Sequence, residues 1–422
     1  MIVKKLISLS LLVFFSSAIW SQNTKTFLPE PTGIYDVGTS RLYLIDSSRK
    51  DPFKRRDFRK LFVKIWYPAS INENDIPEKY LENYPLEVIY ENFKSKNLDK
   101  EWIAQSRENL THSYPEADIS FHQEKYPVLL FNPGFYFGLP DFYTSYMEDL
   151  ASHGYIVCSI NHPYEQPYIK FGEEEIYIKR KRAQWAYLQL VIADKFQWKP
   201  RNSEEHIEEI THYYHKMLRR FNKIVNLWAI DSKFFIDVIE EANITDSCNI
   251  VSRMDIDNIG VFGQSIGGAV SGQLCTIDER VKAGVNLDCF QFGNPIHQPI
   301  KQPFMLIQSD YNESWNLGNT INFKKTSGDF AMLSFPGSSH FVFSDAAILP
   351  YQTQEIKKNM IGNINGEVIL NSTKIYILDF FNYYLKETGP EYIHSDRQLS
   401  HLIFSFRKGL QSKKATSSAS KN

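Results

Sequence analysis

An open, mostly parallel β-sheet sandwiched between helices is the fold this sequence predicts, and two patterns predict it. Short continuous apolar runs bounded by turn residues recur along the chain, as parallel strands covered on both faces require. Stretches of helical character fall between several of them, giving the βα alternation of a doubly covered sheet.

Taken in order, the first element is a leader. Residues 6–20 (LISLSLLVFFSSAIW) follow Lys4 and Lys5 and carry no charge. That run is short of the roughly 20 apolar residues of a membrane span, so residues 1–22 read as a secretory signal peptide, with export to the periplasm or medium expected. Phe62–Tyr67 alternates like a half-buried strand. Tyr126–Phe131 is a covered strand running into Asn132-Pro133-Gly134, and a helix over 140–152 leads to the next strand at Tyr155–Ile160. Residues 165–253 are charged and helix-rich and read as a helical excursion inserted before the strand Asn258–Phe262. A helix over 266–276 follows, then strands at Val281–Leu287, Phe304–Gln308 and Phe330–Phe335, and a closing helix at 373–387. Residues 23–408 are expected to form one domain, and the polar, basic residues 409–422 a disordered tail.

Composition narrows the function. The 422 residues carry 47 basic and 49 acidic side chains, a net charge of −2, so no nucleic-acid partner is expected. With 43% apolar and 23% charged residues the chain is neither disordered nor fibrous. No Cys precedes Cys158, so a lipidated cysteine near the N-terminus is not expected. Cys158, Cys275 and Cys289 sit in apolar contexts and read as buried hydrophobes, not as a disulfide framework. No nearby Cys or carboxylate pattern completes a ligand set around His206, His212 and His215, so they read as a solvated helix face. Neither a metal nor a cofactor is expected.

The chemistry is carried by Gly263-Gln264-Ser265-Ile266-Gly267. This G-x-S-x-G lies directly after a strand and directly before a helix rich in small residues, the context of a nucleophile elbow. The sharp turn lifts Ser265 Oγ into a cleft at the positive end of a helix, while Gly263 and Gly267 permit the close approach. A serine hydroxyl needs a base. His340, in the loop Pro336-Gly337-Ser338-Ser339-His340 after a late strand, stands where an α/β-hydrolase places one. The acid is Asp288 or Asp310: each ends a strand and precedes His340, and the commonest α/β-hydrolase arrangement favours Asp310. Ile266 N–H and Phe135 N–H are the candidate oxyanion donors, with Gly134 allowing the turn and Pro133 unable to donate.

Several segments together resemble the type II, plasma-like platelet-activating-factor acetylhydrolases and their bacterial relatives. Leu28 to Gly38 resembles that family's opening P-x-G-x-Y-x-V-G stretch, Val63 to Pro68 its I-W-Y-P strand, and Tyr126 to Gly134 its oxyanion loop. Leu150 to Val157 resembles its L-A-S-x-G-[FY]-x-V segment. The resemblance spans about residues 28–390 and implies an α/β-hydrolase fold, a mostly parallel sheet with a helical insertion before the nucleophile strand. It also implies Ser265 as nucleophile, Asp288 as acid and His340 as base. Pro133 and Gln264 stand where the family often has histidine, which implies a different acyl-pocket shape. The family's lipid-docking helices correspond to residues 86–112, which are charged here, so contact with a membrane or lipid particle is expected to be weak.

The function expected is that of a serine esterase acting on short-acyl esters or short-chain phospholipids. Two alternatives stand beside it: a general carboxylesterase, dienelactone- or polyester-hydrolase-like enzyme, and a catalytically silent binding protein.

Overall fold

The computed structural model describes residues 26–195, 204–245, 249–310, 313–394 and 399–409. The secretory segment expected over 1–22, Cys248 and nearly all of the expected tail lie outside them.

The described chain enters through a long hairpin, β1 (Asp36–Lys50) and β2 (Phe58–Ser70). Burial changes along β1: Val37–Ser40 are covered, while Tyr43 and Ile45 are exposed, so no single alternation marks it as a strand. Helices α1 (Leu86–Phe93) and α2 (Lys100–Ser106) follow, joined through a 3-10 turn at Lys94–Lys96. Asp99 caps α2 by accepting from Trp102 N at 2.7 Å. Two short strands, β3 (Ser113–Pro115) and β4 (Asp118–Ile119), complete this edge.

The parallel region starts with β5 (Tyr126–Asn132), α3 (Thr144–Ser152) and β6 (Ile156–Asn161). The excursion expected to be helical from 165 opens instead on a hairpin, β7 (Tyr168–Phe171) and β8 (Glu174–Tyr177), turned at Gly172 with φ +60°. Ile169 and Ile176 are cross-strand partners, both buried, in strands of four residues each that are too short to read from the pattern. The rest is helical: α4 (Arg180–Lys195), α5 (Glu204–Met217), α6 (Arg219–Thr245) and α7 (Asn249–Ser252).

The nucleophile segment is β9 (Met254–Gln264) and α8 (Ile266–Ile277). Then come β10 (Val281–Leu287), β11 (Phe304–Ser309), α9 (Glu313–Lys325), β12 (Phe330–Phe335), α10 (Gln354–Ile361) and α11 (Gly366–Lys386). A last strand, β13 (Ile403–Arg407), pairs antiparallel with β12, so the sheet continues past the point where the sequence pattern ends.

The eleven-stranded sheet has the order β13-β12-β11-β10-β9-β5-β6-β2-β1-β3, with β4 paired to β2. Strands β6, β5, β9, β10, β11 and β12 are mutually parallel. Both faces are covered, which is why these strands are mostly apolar, with polar residues such as Lys282 of β10 and Ser334 of β12 among them. Val128 and Leu130 of β5 join the core formed with α6 and α8, whereas Leu129 and Phe131 join the one formed with α3 and α11. A third cluster packs Trp228, Phe221 and Ala186 of the insertion against Phe135, Ile266 and Ala269.

The chain steps outward from β5 to β6 and returns across β5 to β9. At such a reversal the loops leaving the two central strands diverge and open a crevice at their C-terminal ends. Register places Asn132 beside Gly263 and Leu287 beside Gln264, so the candidate residues start from adjacent strand ends.

Candidate active site

Ser265 caps α8 with φ 57° and ψ −132°. Backbone of that kind suits glycine and costs an L side chain on the order of 1–3 kcal/mol. Neighbouring strands hold it: Ser265 N donates to Leu287 O at 2.8 Å, and Gly268 N donates to Ser265 O at 2.7 Å. The flanking glycines are forced by contact. A Cβ on Gly263 would lie 2.4 Å from Gly267 C, one on Gly267 1.8 Å from Asn132 O, and one on Gly134 2.8 Å from Gln264 Oε1. Ile266 N and Gly267 N precede the first intrahelical bonds, so the positive end of α8 lies at Ser265.

His340 opens a 3-10 turn at His340–Phe343 in the loop after β12. Its Nδ1 lies 2.7 Å from Asp288 Oδ2. Asp288 follows β10 in the left-handed region, φ 58°, which aspartate tolerates, and its side chain is buried. Ser309, the last residue of β11, donates to it twice, from N to Oδ1 and from Oγ to Oδ2, each at 2.7 Å. An ionised carboxylate only accepts, so the ring's Nδ1 carries the proton and Nε2 is left as the acceptor. Asp310, one residue on, is exposed, and its Oδ2 accepts from Gly337 N at 2.6 Å, where it ties down the loop that carries His340.

Gln264 has a larger part than pocket shape. Its Nε2 lies 3.2 Å from His340 Nε2 and donates to His340 O at 3.2 Å. Its Oε1 accepts from Tyr143 Oη at 3.0 Å, and that phenol oxygen accepts from Gly134 N at 3.3 Å. Burial pushes the Tyr143 phenol above its ordinary range, so it stays a neutral donor. One amide therefore joins the turn at Ser265 to the His340 loop and to the Gly134-Phe135 turn. Phe135 itself is buried, between the cavity at Ser265 and the insertion.

Ser265, His340, Gly134 and Phe135 line one cavity of about 50 Å³. Beyond them its wall is mostly apolar, with Leu81, Ile89, Phe93, Ile103 and Met360 among the lining side chains and Ser106, Gln264 and Ser344 as polar ones. Helices α1 and α2 thus direct their apolar side chains at the cavity, while Lys94, Lys100 and Glu101 are exposed.

Beneath the Gly134 turn lies a buried polar relay that sequence reasoning missed. His162, at the C-terminal end of β6, lies 2.9 Å from Asp231 Oδ2 through Nδ1 and 2.9 Å from the Asn132 amide through Nε2. The ring stacks on Trp228 at 4.0 Å, and Trp228 Nε1 donates to Glu165 at 2.6 Å. Arg59 donates to Asp231 at 2.6 Å and to Asp51 at 3.1 Å. Burial works against charge on Asp231, yet the Arg59 guanidinium outweighs it and holds that carboxyl below the ordinary range. Burial, helped by Arg59, pushes His162 down to about 4, and burial lifts Glu165 to about 7.

A pH dependence follows. His162 favours the fold fully above its unfolded value near 6.5, and that contribution fades as pH falls toward 4, because only the unfolded ring takes up the proton. Glu165, and Asp345, which burial also lifts to about 7, act in the opposite direction over the same interval. The difference in unfolding free energy between wild type and His162→Gln should therefore narrow by about 2 kcal/mol from pH 7 to pH 5. Urea titrations at the two pH values measure it, and a difference independent of pH would show that the ring is not kept neutral.

The remaining candidates lie elsewhere. His212 is exposed, while His215 packs edge-on against His297 with their Nε2 atoms 3.5 Å apart. The side chain of His206 lies outside the described set. Among the described residues no group of three His, Cys, Asp or Glu is placed to hold a metal. Cys158, Cys275 and Cys289 are buried and free. No helix of the described residues is long and apolar enough to cross a membrane.

Comparison with known proteins shows the family and the fold. The chain is 23% identical to platelet-activating factor acetylhydrolase of Cavia porcellus over 88% of its length and 83% of that protein's. It is 24% identical to the Bos taurus enzyme of the same name, over 77% and 70%. It is also 24% identical to a probable 1-alkyl-2-acetylglycerophosphocholine esterase of Arthroderma benhamiae, over 88% and 91%. Among solved structures, a ferulic acid esterase from Streptomyces cinnamoneus superposes with a TM-score of 0.66, covering 89% of this chain and 98% of that one at 23% identity, which shows that the two share the α/β-hydrolase fold. A model of the family described as platelet-activating factor acetylhydrolase, isoform II, matches residues 20–395, and the chain belongs to that family.

Proposed function

We propose that the chain, an ester hydrolase by its family, cleaves short-acyl esters through an acyl-enzyme on Ser265. His340 Nε2 takes the Ser265 proton as Oγ attacks the ester carbonyl, with Nδ1–H held by Asp288. The tetrahedral oxyanion is stabilised by the amides of Ile266 and Phe135. The imidazolium returns its proton to the departing alkoxide, which leaves as the alcohol. Water, deprotonated by the same ring, then attacks the acyl-enzyme; its collapse re-protonates Ser265 and releases the carboxylic acid. Gln264 serves as a positioning residue for the loops that carry His340 and Phe135.

The observation that carries this reading is the 2.7 Å pair of His340 and Asp288 on the rim of a cavity that also holds Ser265 on its strained turn. The size of that cavity supports a short acyl group, since about 50 Å³ has room for roughly four waters, comparable to an acetyl or propionyl group. The names of the guinea-pig and fungal relatives support a 2-acetyl glycerophospholipid as the natural substrate class. Labelling by a fluorophosphonate probe, with the adduct mapped to Ser265, tests the nucleophile. A panel of acetyl to octanoyl esters tests the acyl limit: kcat/KM should fall beyond about four carbons, and a preference for octanoyl would favour a general carboxylesterase. Export is also proposed, from the uncharged run at residues 6–20, and N-terminal sequencing of secreted chain tests it.

A further inference from the structure

Lys96 lies on the 3-10 turn between α1 and α2. Its ammonium sits 5.8 Å from the ring centre of Phe137 and 5.1 Å from that of Phe341, half-buried beside the site. Neighbouring cations on the same cover have carboxylate partners: Lys94 pairs with Glu91 at 2.7 Å, Arg180 with Glu91 at 3.3 Å, and Lys100 with Glu87. Among the described residues no carboxylate pairs with Lys96. Burial alone acts on its amine, and it lowers the pKa. The two ring faces attract the ammonium without neutralising it, and a cation kept partly out of water gains further from an anion that pairs with it.

That amine faces a second cavity, of about 310 Å³, which Ser95 and Asn359 also line. This outer cavity meets the inner one at Phe137, Tyr187, His340 and Phe341. The two differ in character. The inner one is small and lined mostly by apolar and aromatic side chains, none of them exposed, whereas Ser95, Gln184 and Asn359 at the outer one are exposed. In acyl transfer the alcohol must depart before water attacks, so it belongs on the side open to solvent and next to the ring that protonates it. The acyl group belongs in the closed side.

Resting on the esterase reading above, we infer that the outer cavity is the alcohol subsite and that Lys96 binds an anionic group, phosphate or carboxylate, on the departing alcohol. The ester class favoured is therefore one whose alcohol carries a negative charge a few bonds from the scissile oxygen.

The test compares kcat/KM for three soluble acetates: phenyl acetate, which is neutral, 4-acetoxybenzoate, and the acetyl ester of glycerol 3-phosphate. The quantity read is the ratio of each anionic substrate to phenyl acetate within one variant, which cancels differences in intrinsic reactivity. Lys96→Gln should lower at least one ratio by about tenfold, the worth of one partly exposed charge-assisted hydrogen bond, and Lys96→Glu should lower it further. Lys96→Arg should hold it within about threefold of wild type. A fall confined to the glycerol phosphate ester assigns the subsite to phosphate, and one confined to the benzoate assigns it to carboxylate. Ratios unchanged within about twofold in both Gln and Glu variants, with melting temperatures showing them folded, would overturn the inference while leaving the esterase reading intact. Wild-type protein that hydrolyses none of the three, or a Ser265→Ala variant that hydrolyses them normally, would overturn both.

Discussion

Ser265→Ala should lower turnover of a short-acyl ester by a factor of about 10⁴ to 10⁶, with the fold unchanged. In the proposed mechanism the attacking oxygen is removed, and the activity that remains is what the Ile266 and Phe135 amides and substrate binding would supply to attack by water. A second substitution at this position separates chemistry from strain. Ser265→Gly removes the same hydroxyl but relieves the backbone at φ 57°, ψ −132°, a conformation open to glycine. Relief of on the order of 1–3 kcal/mol, less the conformational entropy glycine loses on folding, leaves a net gain of about 1 kcal/mol. The glycine variant should therefore be as inactive as the alanine one, yet unfold at a higher denaturant concentration than wild type. Activity above about 1% of wild type in the alanine variant would remove Ser265 from the mechanism. A glycine variant less stable than wild type would show that the turn stores no strain.

What the sequence made legible follows from what it encodes locally. Tyr126–Phe131 and Val281–Leu287 were readable because strands covered on both faces are apolar at most positions. The strained turn at Ser265 was readable because so sharp a strand-to-helix turn needs glycines within two residues of its apex. Other features depend on partners distant in the chain. Asn132, His162, Asp231 and Arg59 are separated by up to 172 residues, and nothing near Arg59 signals that it ends beneath the Gly134 turn. Gln264 occupies a variable position of its motif, and its two roles appear only when Tyr143 and His340 converge on it. The hairpin at 168–177 and the edge strand β13 are short and half exposed, so neither leaves a pattern long enough to read. Which aspartate faces His340 stayed open for a related reason. Asp288 and Asp310 both directly follow parallel strands, and only the folded 336–340 loop brings the ring to Asp288 while Gly337 meets Asp310.

Asp288→Asn should reduce kcat/KM by about 10⁴, and Asp310→Asn should stay within about threefold of wild type. The first follows from the donors around Asp288. Its Oδ1 receives the backbone N–H of Ser309, which cannot accept, so an amide at this position must keep its oxygen there. The NH₂ group is then forced into the place of Oδ2, facing Ser309 Oγ and His340 Nδ1. The serine hydroxyl can turn round and accept. The imidazole can accept only by losing its Nδ1 proton, which moves to Nε2, the atom that must be free to take the proton of Ser265. The wrong tautomer follows from hydrogen-bond geometry with no change of shape, and asparagine tolerates the left-handed backbone at this position as aspartate does. Asp310 is under no such constraint. It is exposed and gives one acceptor to Gly337 N, which an asparagine oxygen supplies equally well. Kinetics of the two variants on one acetate ester decide the matter. A crippled Asp310→Asn beside an active Asp288→Asn would move the acid to the neighbouring strand and require the His340 ring to turn away from the partner it holds in this structure.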